Sequence, residues 1–206
     1  MEGVIINNAT ISIRYDASVD VNNKTLDLFV DDTFNLNATT NPENLTVNFT
    51  SSNPSVVTVD EDGKVVALSE GNATITVSVG GDGRYAENST MVNVTVSKVP
   101  TDISIVNATV NLNVDDEVST GAVLNPEEAG NLTYTSSDES VAVVKDGKII
   151  ALKEGNVTIT VSFKGNNKYG EAENKTIKVT VKKINTTMNV SADEITEGEN
   201  ATINVE

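Results

Sequence analysis

The 206-residue chain has no cysteine, no histidine and no tryptophan, and only 4% of its residues are aromatic. Each absence removes a chemistry. Without Cys or His there is no disulfide, no thiolate nucleophile, no zinc finger and no Ser-His-Asp triad. Basic residues are also scarce: 14 Lys and Arg stand against 30 Asp and Glu. The resulting net charge of −16 repels phosphate backbones, so nucleic acid is excluded as a partner. No apolar run approaches the roughly 18 residues a membrane span needs, and no membrane insertion is expected in this segment. Met1-Glu2-Gly3-Val4-Ile5-Ile6 lacks the basic and apolar regions of a secretion signal. The chain is therefore either cytosolic or an internal piece of a longer exported protein. Residues 184–206 favour the second, because they begin new strand patterns at Met188-Asn189-Val190 and Ala201-Thr202-Ile203-Asn204-Val205 and then stop.

What the chain does have is a repeat. Val30-Asp31-Asp32 recurs as Val114-Asp115-Asp116, and Asn41-Pro42 as Asn125-Pro126, both 84 residues on. Ser51-Ser52 and Ser55-Val56 recur one residue further out, as Ser136-Ser137 and Ser140-Val141. The extra residue is lost again where Asp60-Glu61-Asp62-Gly63-Lys64 becomes Lys145-Asp146-Gly147-Lys148. Glu70-Gly71-Asn72, Thr74-Ile75-Thr76-Val77-Ser78 and Tyr85 then find their copies at a spacing of 84. Self-similarity at a fixed period defines the architecture. Residues 1–17 are the tail of a preceding module or an N-terminal strand, 18–98 a first domain, 99–101 a linker, 102–183 a second domain and 184–206 the start of a truncated β module.

Within each copy the hydrophobic period is two. Ala73, Ile75, Val77 and Val79 alternate with Thr74, Thr76 and Ser78, and Val157, Ile159, Val161 and Phe163 keep the same phase. Such alternation is the mark of a strand with one face on a core and one in water. Residues 45–50, 55–59, 64–68 and 90–97 read alike, rich in β-branched residues and bounded by Asn, Asp, Gly or Pro. Asp62-Gly63 and Asp146-Gly147 mark hairpin turns. About seven short strands in ~80 residues describe a β-sandwich, so the chain is all-β, two tandem sandwiches with partial flanking modules. Phe49 and Tyr134, at matched positions, are expected to be the large buried rings. Full burial would contribute about 2–3 kcal/mol each, with ~3–5 lost on truncation to Ala.

The ordered run from Leu28-Phe29-Val30-Asp31-Asp32 through Phe49-Thr50-Ser51-Ser52 and Gly63-Lys64-Val65-Val66-Ala67-Leu68 to Glu70-Gly71-Asn72-Ala73-Thr74-Ile75-Thr76-Val77 resembles the bacterial Ig-like domain, group 2. The second copy carries the same marks, ending Glu154-Gly155-Asn156-Val157-Thr158-Ile159-Thr160-Val161. The acidic whole, rich in Asn and Thr, is similar to adhesin-like surface proteins of methanogenic archaea. The resemblance implies extracellular Ig-like sandwiches in tandem on a cell-surface protein, with the signal and anchor outside this segment. It implies no catalytic residue and no cofactor.

Asn-x-Ser/Thr occurs 15 times, whereas chance placement of 26 Asn and 41 Ser and Thr gives about five. The sequons begin at Asn8, Asn23, Asn37, Asn44, Asn48, Asn72, Asn88, Asn93, Asn107, Asn131, Asn156, Asn174, Asn185, Asn189 and Asn200. They have two readings. One is dense N-glycosylation of an exported chain, with Asn37, Asn48, Asn72, Asn93, Asn131 and Asn156 as leading candidates. In the other, Asn-x-Thr with an apolar middle residue is simply how this protein writes the outer face of a strand. Against that, Asn is a poor strand former, and a face that needs only polarity would favour Thr or Lys.

The densest carboxylates are Asp31-Asp32, Asp115-Asp116 and Asp60-Glu61-Asp62. Calcium takes six to eight oxygens, so Asp31, Asp32, Asp115 and Asp116 are the candidates for a metal site. No EF-hand spacing exists and the third cluster shrinks in the second copy, so solvated turn acids are the expected account. Glycoside hydrolysis needs two acids across a cleft, and sandwiches of ~80 residues offer no deep pocket. Tyr85 and Tyr169 occupy matched places in the last hairpin, either stacking on a sugar or packing against the sandwich end. Val99-Pro100-Thr101 leaves little hinge freedom, because proline fixes its own φ and restricts its predecessor. Consecutive domains of roughly 35–40 Å are then expected nearly end to end, a rod of about 75 Å. Two functions fit: a stalk whose partners are the neighbouring Ig-like repeats, or an adhesion module whose loops bind a host-cell glycan or protein.

Overall fold

A computed structural model of the chain describes residues 13–184, 190–192 and 203–205. Two compact units result. The first takes in Met1–Thr101 and the second begins at Asp102, apart from Glu128–Gly130 and Lys164–Ala172, which group with the first.

Nine strands build the first sandwich: β1 (Ser18–Val21), β2 (Thr25–Phe29), β3 (Thr33–Asn35), β4 (Ala38–Asn41), β5 (Val47–Ser51), β6 (Val57–Val59), β7 (Lys64–Ala67), β8 (Gly71–Val79) and β9 (Asn88–Ser97). Nine becomes the expected seven when two broken strands are joined. β1 and β2 are one run that changes sheets, and β3 and β4 are one run interrupted at Leu36-Asn37. One sheet has the order β2-β9-β8-β5, with β2 parallel to β9 and the other pairs antiparallel. A second has the order β3-β7-β6, and β1 pairs with β4. The inward residues of the long strands, Ile75, Val77, Val92, Val94 and Val96, are buried together with Val57, Val65 and Ala67 of the other layer. Alternation in sequence thus becomes two faces in space.

Nine further strands repeat the plan: β10 (Asp102–Ile105), β11 (Thr109–Asn113), β12 (Glu117–Ser119), β13 (Ala122–Asn125), β14 (Thr133–Ser136), β15 (Ala142–Lys145), β16 (Lys148–Ala151), β17 (Gly155–Phe163) and β18 (Ala172–Lys182). Its sheets are β11-β18-β17-β14, β12-β16-β15 and β10-β13. Ile103, Ile149, Ile159, Val161, Ile177 and Val179 form its interior. Past it, β19 (Val190–Ala192) pairs antiparallel with β20 (Ile203–Val205). The anticipated strands at 188–190 and 201–205 therefore fall partly in this pair and partly outside the described residues.

The breaks in repeat spacing have physical causes. The loop Asn125–Leu132 has one residue more than its counterpart, and it holds a short 3-10 turn, Glu127–Ala129, with Ala129 buried. Asn166 Nδ2 donates to the Ala129 carbonyl at 2.8 Å and ties that turn to the last hairpin. The residue lost later changes a hairpin. In the first copy the Gly63 amide donates to the Asp60 carbonyl at 3.1 Å, and Gly63 follows the turn with φ 80°. In the second, Asp146 and Gly147 stand alone between β15 and β16 with φ 50° and 74°. Positive φ at both central residues is the two-residue hairpin turn that matches strand twist.

Phe49 and Tyr134 are half-buried, a correction to the expectation of fully buried rings. Both lie on the outermost strand of a four-stranded sheet, β5 and β14, where no further strand covers the flank. Their surroundings also change in concert. Phe49 packs against the core that includes Leu36, whereas at the matched places Thr120 is buried and donates its hydroxyl to Tyr134 Oη at 3.4 Å. An apolar pair in one copy has become a hydroxyl pair in the other, so Thr120 is not left as an unpaired buried polar group.

Candidate functional site

Each copy offers three places for chemistry: the paired-aspartate turn, the last hairpin, and the outer face of the four-stranded sheet. The turn is built by its acids. Asp31 and Asp115 have φ 75° and 72°, a left-handed backbone that Asp tolerates better than bulkier residues. Asp32 Oδ2 accepts from the Phe29 amide at 2.8 Å, and Asp116 Oδ2 from the Asn113 amide at 2.7 Å. The backbone then crosses sheets. Asp31 donates to the Ala67 carbonyl at 2.9 Å and Ala67 donates to the Asp32 carbonyl at 3.0 Å, with Asp115, Asp116 and Ala151 repeating the exchange at 2.9 and 3.0 Å. The corner where the chain passes from one sheet to the other thus uses the backbones of all four aspartates and one carboxylate oxygen each of Asp32 and Asp116. Asp60 is likewise a turn former, its Oδ1 accepting from the amides of Asp62 and Lys64 at 3.1 and 2.8 Å. Among the described residues no three His, Cys, Asp or Glu gather as a metal site.

The last hairpin is held by a side-chain acceptor in both copies. Asp82 Oδ1 accepts from the Arg84 and Tyr85 amides, each at 2.9 Å. These two amides, Tyr85 first, hold the Asp82 carboxyl below the usual carboxylate range. Asn166 occupies the matched place and accepts from the amides of Lys168 and Tyr169 at 3.0 and 2.9 Å. Tyr169 is buried at 9% exposure while Tyr85 is half-exposed. In the first, the Tyr15 and Tyr85 centroids lie 6.1 Å apart and Arg84 sits 5.4 Å from the Tyr85 centroid. The segment entering each copy pairs with this hairpin: Tyr15 donates to the Arg84 carbonyl at 2.9 Å, and Val99 to the Lys168 carbonyl at 2.9 Å. Tyr15 and Val99 stand 84 residues apart, so this pairing repeats with the copies although the two residues differ in type.

On the outer face, polar residues form ladders. β8 and β9 set Asn72 opposite Thr95 and Thr74 opposite Asn93. Thr74 Oγ1 donates to Asn93 Oδ1 at 3.3 Å, and Thr180 Oγ1 to Asn156 Oδ1 at 2.9 Å. A shallow depression of about 300 Å³ lies here, lined by Ser52, Asn72, Thr74, Asn93 and Thr95. Its counterpart, also about 300 Å³, is lined by Ser137, Asn156, Thr158, Lys178 and Thr180. Both are hydroxyl- and amide-rich hollows without a titratable pair facing across them. The six leading glycosylation candidates, Asn37, Asn48, Asn72, Asn93, Asn131 and Asn156, are all exposed. Asn8, Asn185, Asn189 and Asn200 lie outside the described residues.

Two antiparallel-rich sheets packed face to face, met twice along one chain, define a tandem Ig-like β-sandwich protein. The match to a known family is as direct. Residues 17–91 and 99–173 each match the bacterial Ig-like domain (group 2), and the chain belongs to that family. One curated relative, an uncharacterized protein of Clostridium acetobutylicum, is 43% identical over 82 residues, which is 38% of this chain and 20% of that protein. A second uncharacterized protein from that organism is 31% identical over 147 residues, 66% of this chain and 14% of the relative. The chain therefore spans a fifth or less of the curated relatives it matches. Similar solved structures include surface layer protein SbsC, domains 1–6, at 16% identity and TM-score 0.44, covering 92% of this chain and 36% of that one. The immunoglobulin domains 1–5 of Sidekick-1 are similar at 14% identity and TM-score 0.39, covering 81% of this chain and 40% of that one.

Proposed function

We propose that this chain is a non-catalytic spacer segment of a cell-surface, adhesin-like protein, its two sandwiches setting reach. The observation that carries the reading is duplication of one whole sandwich at near-constant spacing across a three-residue, proline-containing link. A chain that repeats its whole scaffold is suited to length. The high negative charge keeps such a segment soluble and self-repelling. Small-angle scattering of the 206-residue chain should give a maximum dimension of about 75 Å or more, and the profile of an elongated particle. A compact, near-spherical profile refutes the spacer.

A second reading has its own observation. The loop Asn125–Leu132 carries a 3-10 turn tied down by Asn166, while its counterpart Asn41–Val47 carries none. Scaffold kept and loops altered is the pattern of a binding module, whose ligand would be a glycan or protein on another cell. Saturable binding to a glycan array or target cells, resistant to physiological salt and lost on replacing Asn125–Leu132 with the first copy's loop, would establish it. Its absence leaves adhesion to other parts of the parent protein.

A further inference from the structure

We propose that the chain is N-glycosylated at Asn23, Asn48, Asn107 and Asn131, and that these glycans cap the two open edges of each four-stranded sheet. The proposal rests on the surface reading above, since the modifying machinery acts on exported chains.

The structure separates the two explanations of the sequons. If Asn-x-Thr were only the spelling of an outer strand face, the sequons would lie in strands. Of the eleven within the described residues, five do not: Asn23, Asn37, Asn44, Asn107 and Asn131 are all outside strands. All eleven asparagines are exposed, in strands and loops alike. Two sequons are also kept between copies at a spacing of 84 while their middle residues change. Asn23-Lys24-Thr25 becomes Asn107-Ala108-Thr109, and Asn72-Ala73-Thr74 becomes Asn156-Val157-Thr158. Acceptor and hydroxyl stay while the residue between them is free, which matches what an N-linked sequon requires.

Their placement gives the modification a purpose. The four-stranded sheets end in β2 and β5, and in β11 and β14. Thr25 opens β2 and Thr109 opens β11, so Asn23 and Asn107 stand just before one edge of each sheet. Asn48 lies on β5, and Thr133 opens β14, so Asn48 and Asn131 mark the opposite edges. An unpaired edge presents a row of N–H and C=O groups that can recruit another chain, and repeats at high local concentration face that hazard most. A bulky hydrophilic group at each edge blocks the approach. The covalent step is a group transfer from a lipid-phosphate-linked sugar. The Asn Nδ2–anomeric carbon bond forms, the anomeric carbon–oxygen bond to phosphate breaks, the lipid phosphate leaves with that electron pair, and the amide proton passes to a base on the transferase.

The test is glycopeptide mass spectrometry on the chain purified from its native host, with membrane-impermeant amine labelling of intact cells in parallel. The expected result is surface labelling together with sugar mass on peptides containing Asn23, Asn48, Asn107 and Asn131. Thr25→Ala should remove the modification at Asn23 and Thr25→Ser should retain it. A quadruple Asn→Gln variant, folded by its far-UV circular dichroism, should show at least tenfold tighter self-association in sedimentation. A labelled chain bare at these four positions overturns this inference and leaves the surface reading standing. An unlabelled chain overturns both. Full occupancy with a quadruple variant that stays monodisperse overturns the edge-capping role.

Discussion

Gly63 and Gly147 close equivalent hairpins with similar left-handed backbones, φ 80° and 74°, yet their surroundings differ. A Cβ placed on Gly63 would lie 2.8 Å from the Leu36 carbonyl oxygen and 3.0 Å from Phe49 Cζ, whereas one on Gly147 meets nothing within 4 Å. Alanine at either site pays for the left-handed conformation, about 1–2 kcal/mol. Only Gly63→Ala adds overpacking, roughly 1–3 kcal/mol more. Relief there is poor, because the Leu36 amide itself donates to the Gly63 carbonyl at 2.9 Å and Leu36 is buried. Equilibrium urea denaturation followed by circular dichroism should show the first copy losing about 2–5 kcal/mol and the second about 1–2, from the sum of those two effects. Hydrogen-exchange mass spectrometry would assign each transition to its copy. With a urea slope of about 1–3 kcal/mol/M, the two midpoints should shift unequally by roughly 0.3 M or more. Equal shifts, or a larger one for Gly147→Ala, would refute the crowding described at Gly63.

Other expectations follow from the same pairing of copies. Asp82 has a lowered pKa through its amide donors, so its contribution is present above the ordinary carboxylate value and lost as pH falls through the lowered one. Acidification should therefore speed amide exchange at Tyr85 before Tyr169, whose acceptor Asn166 does not titrate, and Asp82→Asn should abolish the difference. Ile75→Ala, at a fully buried position, should cost about 2–5 kcal/mol in urea denaturation, while Thr95→Ala on the exposed face should stay within about 0.5 kcal/mol. Asp32→Ala should cost about 1 kcal/mol by removing the acceptor of the Phe29 amide, an effect that Asp32→Asn largely rescues. Calorimetry on the three Asp32 proteins would check the order.

The sequence by itself determined the strands, their faces and the duplication. Period-two alternation specifies which side of β8 and β17 is buried without knowledge of partners, because successive side chains must point oppositely. It also located Asp62-Gly63 and Asp146-Gly147, since turn chemistry is local. Tertiary structure decided what depends on neighbours distant in sequence. Phe49 reads as a core ring from its own strand, but β5 ends its sheet, and edge position is a property of strand order. The aspartate pair reads as a turn from its own residues, but its backbone partners Ala67 and Ala151 appear only in the fold. Thr120 is an ordinary polar residue until Tyr134 is found within reach of its hydroxyl. The sequons could be counted in the sequence, but which of them precede an open sheet edge is set by strand order. Alternation and turns act over a few residues, whereas edges, corners and buried pairs are set by which strands meet.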